Sequence, residues 1–345
     1  MAVGDKAQKR VEVDLGDRSY PVLIGPGASG ELVEMLPAEA RRVAVVTQEK
    51  IGISLDLGDR LVKVFNVPDG EEAKNFIWLE WLVRGFVEFS MTRSDIVLAV
   101  GGGVVSDLAG LAASIYHRGI RVINVATSLL AMVDAAIGGK TAINIPEGKN
   151  LIGTFHQPLA VICDTDHLQS LPEEELYCGR GEMAKYAFLG APDLIDLPLV
   201  SQISACVSIK ASFVSQDERE GSKRALLNYG HTLAHAIEAQ AFGPSSPRIK
   251  HGQAVGVGLV FAARLAEKLA RIGEKEVAFH RQVVTSYGLD PEIPAWVRRD
   301  ELVEVMLRDK KVKSGLTFVL DGEDGLEVVS DIDPEVVRSV LDLAP

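Results

Sequence analysis

Cysteine, positive charge and long apolar runs are scarce in this 345-residue sequence. Its three cysteines, Cys163, Cys178 and Cys206, form no C-x-x-C pair. A disulfide framework or a thiolate zinc site is therefore not expected, and this usage fits a reducing cytoplasm. No stretch of about 18 uncharged apolar residues is present to cross a membrane. Residues 1–10 are polar and lack the apolar core of a signal peptide. We expect a soluble, cytoplasmic protein.

Lysine and arginine number 36 against 48 aspartates and glutamates, which gives a net charge of −12 with neutral histidine. This balance argues against a nucleic-acid partner or an anionic membrane, because both require a basic surface. Hydrophobic residues make up 47% and charged residues 24%, as in ordinary globular proteins. The length suggests about two domains. An anionic substrate could bind only where the few cations converge.

The first half alternates short β-branched runs with helical patterns, which predicts a parallel α/β sheet covered on both faces. Strands are predicted at 42–47, 61–67, 95–100, 121–126 and 160–164, with helices at 71–89, 104–116 and 128–136. Beyond residue 168 the pattern becomes mostly helical. Helices are predicted at 172–188, 199–213, 224–241, 252–272, 275–287 and 300–307, with a turn-rich loop at 243–247 and a strand at 317–320. We place the domain boundary near residue 165, between an α/β domain (1–165) and a mostly helical domain (166–345).

Three glycines, Gly101 to Gly103, connect the predicted strand at 95–100 to the helix that follows. Such a turn lets backbone N–H groups approach a phosphate at a helix N-terminus. The dinucleotide fingerprint is incomplete, because Ser106 stands where its third glycine would be. Glycine turns also occur for purely steric reasons, so both interpretations remain open from the residues alone.

One predicted helix is apolar except for a polar stripe. At 100° per residue, the stripe members lie within an arc of about 80°; they are Arg224, Asn228, His231, His235 and Glu238. A solvent-facing stripe is the alternative, but such faces are usually rich in lysine and glutamate, so the composition favours a functional site. His231 and His235 have the i, i+4 spacing of two ligands to one metal. Further donors are available from His251 and Glu182.

Two lysines in the middle of the chain, Lys140 and Lys149, are flanked by glycines and lie near Asp134 and Asn150. They are typical of anion ligands, although a surface loop with solvated lysines is the alternative. The Gly-Gly-Lys-Thr sequence at 138–141 lacks the earlier glycine of a phosphate-binding loop, so an ATPase is rejected.

Together these motifs resemble the 3-dehydroquinate synthase family of sugar-phosphate cyclases, over about residues 43–320. The resemblance rests on Asp69-Gly70-Glu71-x-x-Lys74, Gly101-Gly102-Gly103-Val104 with Asp107, Tyr116-x-Arg118-Gly119, Asp134 through Gly138-Gly139-Lys140-Thr141, Gly148-Lys149-Asn150, Phe155-x-Gln157-Pro158, Gly181-Glu182-x-x-Lys185, Asn228-Tyr-Gly-His231-Thr-x-x-His235-Ala-Ile-Glu238, His251-Gly252 and Asp309-Lys310-Lys311. It implies a Rossmann-like, NAD-binding α/β domain joined to a mostly α-helical, metal-binding C-terminal domain, with the active site in the cleft between them.

The resemblance also implies roles for individual residues. NAD would be contacted by Asp69, Gly70, Glu71, Lys74, Gly102, Gly103, Val104, Asp107, Thr127 and Ser128, and by Asp134, Lys140 and Lys149, which also face the substrate. Glu182, His231 and His251 would hold a divalent metal, zinc or alternatively cobalt, which makes His235 a phosphate contact rather than a ligand. The substrate pocket would contain Arg118, Asp134, Lys140, Lys149, Asn150, Lys185, Lys210, Arg224, Asn228, His235 and either Lys310 or Lys311.

The implied reaction converts the seven-carbon keto-acid phosphate DAHP (3-deoxy-D-arabino-heptulosonate 7-phosphate) to 3-dehydroquinate and phosphate, in the shikimate pathway. Transient oxidation by NAD acidifies a C–H bond, phosphate is eliminated, the hydride returns, and an aldol step closes the carbocycle. The net reaction is a phosphorus–oxygen lyase reaction without overall redox change, in which a metal acts as a Lewis acid. The resemblance further implies that the protein is a homodimer. The molecule that it binds would be a small phosphorylated sugar acid.

Three positions depart from the family pattern: Gly181 and Ala234 replace alanine and glycine, and Gln48 stands where aspartate or asparagine is frequent. The first two changes affect packing more than chemistry, whereas the third leaves the NAD contact of Gln48 open. Alternative functions are a cyclase for sedoheptulose 7-phosphate or glucose 6-phosphate, a metal-dependent polyol dehydrogenase, and a non-catalytic scaffold or sensor. The dehydrogenase would accumulate NADH, and the scaffold is disfavoured because the expected polar site residues are present.

Overall fold

The computed structural model describes residues 7–241, 249–309 and 315–343. Lys310, Lys311 and the predicted loop at 243–247 lie outside these ranges. The chain divides into two compact units: the first comprises residues up to 172 together with 198–219, and the second comprises 173–197 together with residues from 220 onward. The boundary at residue 165 stays a prediction. It assigned 198–219 to the helical domain, whereas in the structure this segment packs with the first unit.

Eleven strands and ten α-helices are present in the described ranges. The strands are β1 (Lys9–Val13), β2 (Tyr20–Gly25), β3 (Arg42–Gln48), β4 (Leu61–Val67), β5 (Ile96–Gly101), β6 (Arg121–Ala126), β7 (Lys140–Ile145), β8 (Gly148–Phe155), β9 (Ala160–Asp164), β10 (Leu316–Gly322) and β11 (Gly325–Ile332). The helices are α1 (Leu32–Met35), α2 (Phe76–Glu88), α3 (Gly103–Ile115), α4 (Glu173–Phe188), α5 (Leu199–Gln216), α6 (His231–Gln240), α7 (His251–Lys268), α8 (Glu274–Ser286), α9 (Arg299–Asp309) and α10 (Pro334–Leu343). None of these helices has both the length and the apolar character needed to span a bilayer.

A seven-stranded sheet in the order β1-β2-β9-β6-β5-β3-β4 forms the centre of the first unit. All neighbouring pairs are parallel except β1 with β2. Every residue of β5 is buried, since its side chains alternate between two cores. Val97 and Ala99 pack on the side of α2 and α3, and Ile96 and Leu98 on the opposite side. The predicted parallel sheet with both faces covered is confirmed.

Two hairpins of the first unit were not predicted. One is β1–β2, which adds an antiparallel edge to the sheet. The other is β7–β8, which contains Lys140 and Lys149 and to which the sequence analysis assigned no strands. The predicted helix at 128–136 is present as a short helical segment at 129–135, of which Ala131–Ala135 form a π-helical turn.

The second unit is mostly helical, and α7 is its central, buried helix. Ten successive residues of α7, 254–263, are all buried, and both α4 and α6 pack against this helix. The predicted continuous helix at 224–241 is wrong. A short 3-10 helix, Lys223–Asn228, ends before Gly230, whose φ of +78° breaks the helix ahead of α6. The five-residue polar stripe therefore does not lie on one helical face.

Candidate active site

The glycine turn of the first unit connects β5 to the N-terminus of α3, as predicted. A side chain would not fit easily there: a Cβ atom on Gly102 would lie 3.2 Å from the Ser128 Oγ, and one on Gly103 would lie 3.2 Å from the Ala135 Cβ. The half-buried backbone of these two glycines lies at the start of a 13-residue helix, where N–H groups and the helix dipole favour a phosphate. This cradle fits the pyrophosphate of a dinucleotide.

Lys74 lies beside this turn and is almost completely buried. Its Nζ donates to Asp107 Oδ2 at 2.7 Å and to Asn150 Oδ1 at 2.6 Å. Burial raises the pKa of Asp107 to about 6, although the Lys74 ammonium partly opposes this shift. One cation therefore joins α3 to the β7–β8 hairpin. The sequence placed all three residues in the site but did not predict their contact.

The other predicted NAD contacts also lie in the first unit, around the carboxyl ends of β3 to β6. Glu71 Oε2 accepts a hydrogen bond from Asn144 Nδ2 at 2.7 Å, and Asp69 forms an exposed ion pair with Lys50 at 2.6 Å. Gln48, whose role the sequence left open, donates to the Pro68 carbonyl at 3.0 Å. Thr127 N–H donates to the Gly101 carbonyl at 3.0 Å and so fixes the end of β6 against the glycine turn.

Lys210 on α5 contacts Asp134, although 76 residues separate them. Its Nζ lies 2.5 Å from Asp134 Oδ1 and 2.7 Å from the Asp134 carbonyl oxygen. The Lys210 side chain is nearly buried. Its two contacts therefore hold the Asp134 carboxylate in one orientation. Three further predicted anion ligands of this unit have exposed side chains, namely Arg118, Lys140 and Lys149.

In the second unit, α4, α6 and α7 bring three metal-binding side chains together. Ligand atoms of Glu182, His231 and His251 all lie within 4.8 Å of one another. Glu182 Oε1 is 3.2 Å from His231 Nε2 and 3.1 Å from His251 Nε2. Two imidazole nitrogens and one carboxylate oxygen form a donor set that fits Zn²⁺ or Co²⁺ and leaves a coordination position open.

Hydrogen bonds orient both imidazoles of this cluster. His231 Nδ1 donates to the Tyr229 carbonyl at 3.0 Å, and His251 Nδ1 lies 3.1 Å from Glu238 Oε2. Both acceptors take a proton from Nδ1, so each Nε2 is directed at the metal position. This is the arrangement that fixes the tautomer of metal-binding histidines. The sequence placed Glu238 in the polar stripe without a role.

Charges around Glu182 keep it ionised although it is fully buried. Burial opposes the charge, but Lys185 and His231 outweigh it and hold the pKa of this carboxyl well below its usual range. Lys185, one helical turn later and 1% exposed, donates to Glu182 Oε2. Burial likewise opposes the charge on His251, yet hydrogen bonds to Glu182 and Glu238 raise its pKa to about 10. A divalent cation would replace this proton.

The remaining predicted residues of the second unit differ in exposure. Arg224 is buried, whereas Asn228 is exposed and donates to Glu220 Oε1 at 3.1 Å. His235 is exposed, and its ring centroid lies 5.5 Å from that of His231. The structure thus collects Glu182 and His251 around His231, rather than His235 at the i, i+4 position.

The departure at Gly181 has a structural explanation. A Cβ atom at this position would lie 2.1 Å from the Gly252 carbonyl oxygen. The backbones of α4 and α7 therefore touch directly beside Glu182 and His251. No comparable effect is seen at Ala234, which packs as an ordinary buried residue.

Two family models and several known proteins match this chain. Residues 64–178 match the 3-dehydroquinate synthase N-terminal family and residues 160–312 the C-terminal family. A protein of Amycolatopsis mediterranei, provisionally named aminodehydroquinate synthase, is 46% identical over 97% of this chain and 94% of its own. The 3-dehydroquinate synthase of Caulobacter vibrioides is 40% identical over 96% and 98%, respectively.

Among solved structures, 2-epi-5-epi-valiolone synthase from Streptomyces hygroscopicus subsp. jinggangensis, with NAD⁺ and Zn²⁺ bound, superposes with a TM-score of 0.79 at 25% identity. The match covers 95% of this chain and 97% of that one. The predicted fold class and the predicted family are both confirmed. The protein is an enzyme, a 3-dehydroquinate synthase or a related sugar-phosphate cyclase. With two family models matched and relatives of at least 40% identity over almost its whole length, the chain belongs to the 3-dehydroquinate synthase family.

Proposed function

We propose that this enzyme converts DAHP to 3-dehydroquinate and phosphate, as a phosphorus–oxygen lyase of the shikimate pathway. The observation that carries the proposal is the cluster of Glu182, His231 and His251 with the buried Lys185 beside it. Support comes from the 40% identity to a 3-dehydroquinate synthase over nearly the full chain. The substrate is a phosphorylated sugar acid, so its two anionic groups need cationic partners.

NAD would bind at the glycine turn, where the N-terminus of α3 receives its phosphates. The cofactor supplies transient oxidation and re-reduction of one substrate hydroxyl, with no net redox change. Lys74 pairs with Asp107 at this site and donates a second hydrogen bond to Asn150. This arrangement shapes the cradle before the cofactor arrives and reduces the ordering cost of binding.

Glu182, His231 and His251 would hold a divalent metal, for which the donor set makes zinc the first choice and cobalt a functional substitute. The metal supplies Lewis-acid polarisation of a substrate oxygen. The protein orients the donors, through Glu238 on His251 and through the Tyr229 carbonyl on His231. The buried ammonium of Lys185 adds positive charge beside the ligand carboxylate of Glu182.

The phosphate and carboxylate groups of the substrate would be bound by the cationic side chains that the family resemblance assigns to the pocket. These are Arg118, Lys140, Lys149, Lys210, Arg224 and His235. Lys210 donates to both the side chain and the backbone carbonyl of Asp134, which fixes the direction of that carboxylate. Arg224 is a planar, always charged donor suited to a carboxylate or phosphate, and its burial strengthens such a contact. We further propose that the enzyme acts in the cytoplasm as a homodimer, which sedimentation velocity would test.

A second substrate is favoured by one observation. The relative provisionally named aminodehydroquinate synthase is 46% identical, against 40% for the 3-dehydroquinate synthase. An amino analogue of DAHP is therefore the alternative substrate, and it would use the same NAD and metal sites.

Phosphate release tests both assignments. The purified enzyme with catalytic NAD and Zn²⁺ is given DAHP, its amino analogue, sedoheptulose 7-phosphate or glucose 6-phosphate in separate assays. The proposal expects the highest kcat/KM with DAHP and no accumulation of NADH. A preference for the amino analogue would establish the alternative, and stoichiometric NADH would indicate a dehydrogenase.

A further inference from the structure

A buried polar cluster in the second unit lies behind the metal ligands and takes no part in the proposed chemistry. It consists of Phe188 at the end of α4, Tyr229 just before α6, His280 on α8 and Asp321 on β10. Tyr229 is 0% exposed and His280 2%. In the sequence His280 had no context that suggested a role. We refer to these four residues as the tyrosine anchor.

The anchor holds the phenol end of Tyr229 from two sides. The Tyr229 hydroxyl donates to Asp321 Oδ2 and lies 2.8 Å from His280 Nε2. His280 Nδ1 is 2.7 Å from the Glu276 carbonyl oxygen, which can only accept, so that nitrogen carries a proton. The imidazole of His280 stacks on Phe188, with ring centroids 3.9 Å apart and planes 2° from parallel. Three separate elements therefore fix this one side chain.

The backbone end of Tyr229 contacts a metal ligand directly. Its carbonyl oxygen accepts the His231 Nδ1 proton at 3.0 Å, which leaves His231 Nε2 facing Glu182 Oε1 at 3.2 Å. Gly230, between them, is packed tightly, since a Cβ atom there would lie 2.9 Å from the Leu259 backbone nitrogen. The orientation of Tyr229 thus determines the direction in which His231 presents its lone pair.

We infer that the tyrosine anchor positions His231 for metal binding, so that Tyr229, His280 and Asp321 are positioning residues of the metal site. The inference rests on the proposed metal site. A carbonyl that accepts from a ligand histidine is effective only where its own position is fixed, because outer hydrogen bonds set the ring orientation and basicity of the ligand. The anchor supplies that rigidity through side chains up to 92 residues away in sequence.

The test is Co²⁺ binding to the full-length protein, followed by its visible absorption spectrum. Tyr229→Phe keeps the ring and removes only the hydroxyl. We expect its Co²⁺ Kd to rise roughly tenfold, with an altered d–d band, since outer partners are typically worth 10–100-fold in metal affinity. Tyr116→Phe is the matched control. It removes a buried phenol that donates to the Met91 carbonyl at 3.0 Å in the first unit, and it should leave Kd and spectrum unchanged.

A second pair of variants separates positioning from folding. Asp321→Asn retains a side-chain oxygen that can accept the hydrogen bond from the Tyr229 hydroxyl. This variant should therefore bind Co²⁺ nearly as the wild type does. Asp321→Ala should resemble Tyr229→Phe. Wild-type affinity and spectrum in both Tyr229→Phe and Asp321→Ala would overturn the inference, as would equal loss in Tyr116→Phe. Failure of the wild type itself to bind Co²⁺ would instead contradict the proposed metal site, and the inference with it.

Discussion

A glycine pair allows α4 and α7 to touch at the metal ligands, and this contact leads to a sharp prediction. Gly181 precedes Glu182, and Gly252 follows His251. A Cβ atom on Gly181 would lie 2.1 Å from the Gly252 carbonyl oxygen and 2.4 Å from its Cα. Both are backbone atoms, which cannot rotate away as the end of a flexible side chain could.

Gly181→Ala must therefore separate the two helices. Restoring a Cβ contact of at least 3.0 Å from 2.1 Å requires a displacement of about 1 Å. Metal-binding distances tolerate only about ±0.2 Å, so moving His251 away from Glu182 by this amount should weaken Co²⁺ binding at least tenfold. The overpacking itself should cost about 1–3 kcal/mol of unfolding free energy.

Cobalt titration and urea unfolding would measure the two effects separately. Gly256→Ala on α7 is the matched control, because the atoms nearest to its Cβ would be side-chain carbons of Val284 and Leu289, at 3.3–3.5 Å. This control should keep wild-type Co²⁺ affinity, and the helix propensity of alanine, about 1 kcal/mol better than glycine, favours unchanged or higher stability. The reasoning would be refuted by Gly181→Ala with wild-type metal affinity and wild-type stability.

Three further predictions concern single side chains. His231→Ala should abolish tight Co²⁺ binding while His235→Ala largely spares it; equal loss would restore the two-histidine ligand set. Lys74→Met should weaken NADH binding roughly tenfold by fluorescence titration, because it removes the contacts to Asp107 and Asn150; an unchanged Kd would contradict that role. Burial opposes the charge of Asp95, but backbone donors outweigh it and lower its pKa. Its stabilisation is therefore present above the unfolded pKa of about 3.9 and is lost as the pH falls through the folded value. Asp95→Asn should accordingly lose about 1.5–3 kcal/mol at pH 7 and progressively less in urea unfolding below about pH 4; an equal loss at both pH values would contradict the cause.

Periodicity predicted the parallel sheet well, because its central strands are short continuous apolar runs with buried faces on both sides. β5 and β6 are examples, and their observed bounds differ from the predicted ones by at most one residue. The β7–β8 hairpin was not predicted, because its glycine and lysine residues interrupt the alternation of apolar and polar residues that is typical of a strand. The helix predicted at 224–241 was too long, since an apolar pattern continues across Gly230 although the backbone does not.

Sequence patterns could not predict contacts between residues far apart in the chain. Helical periodicity identified α5 as a helix, but only the structure shows that Lys210 reaches Asp134 and that α5 packs on the first unit. The residues alone suggested the histidine cluster and left its ligand set open. His280 could not be found from sequence, because its partners come from three other elements and no spacing links them.

The measurement that tests the central claim most directly follows phosphate and NADH together in one reaction. Purified enzyme, DAHP, Zn²⁺ and NAD at far less than the substrate concentration should release one phosphate per DAHP, while absorbance at the NADH band stays flat. Phosphate yield limited to the amount of NAD, or NADH rising in step with turnover, would contradict the account.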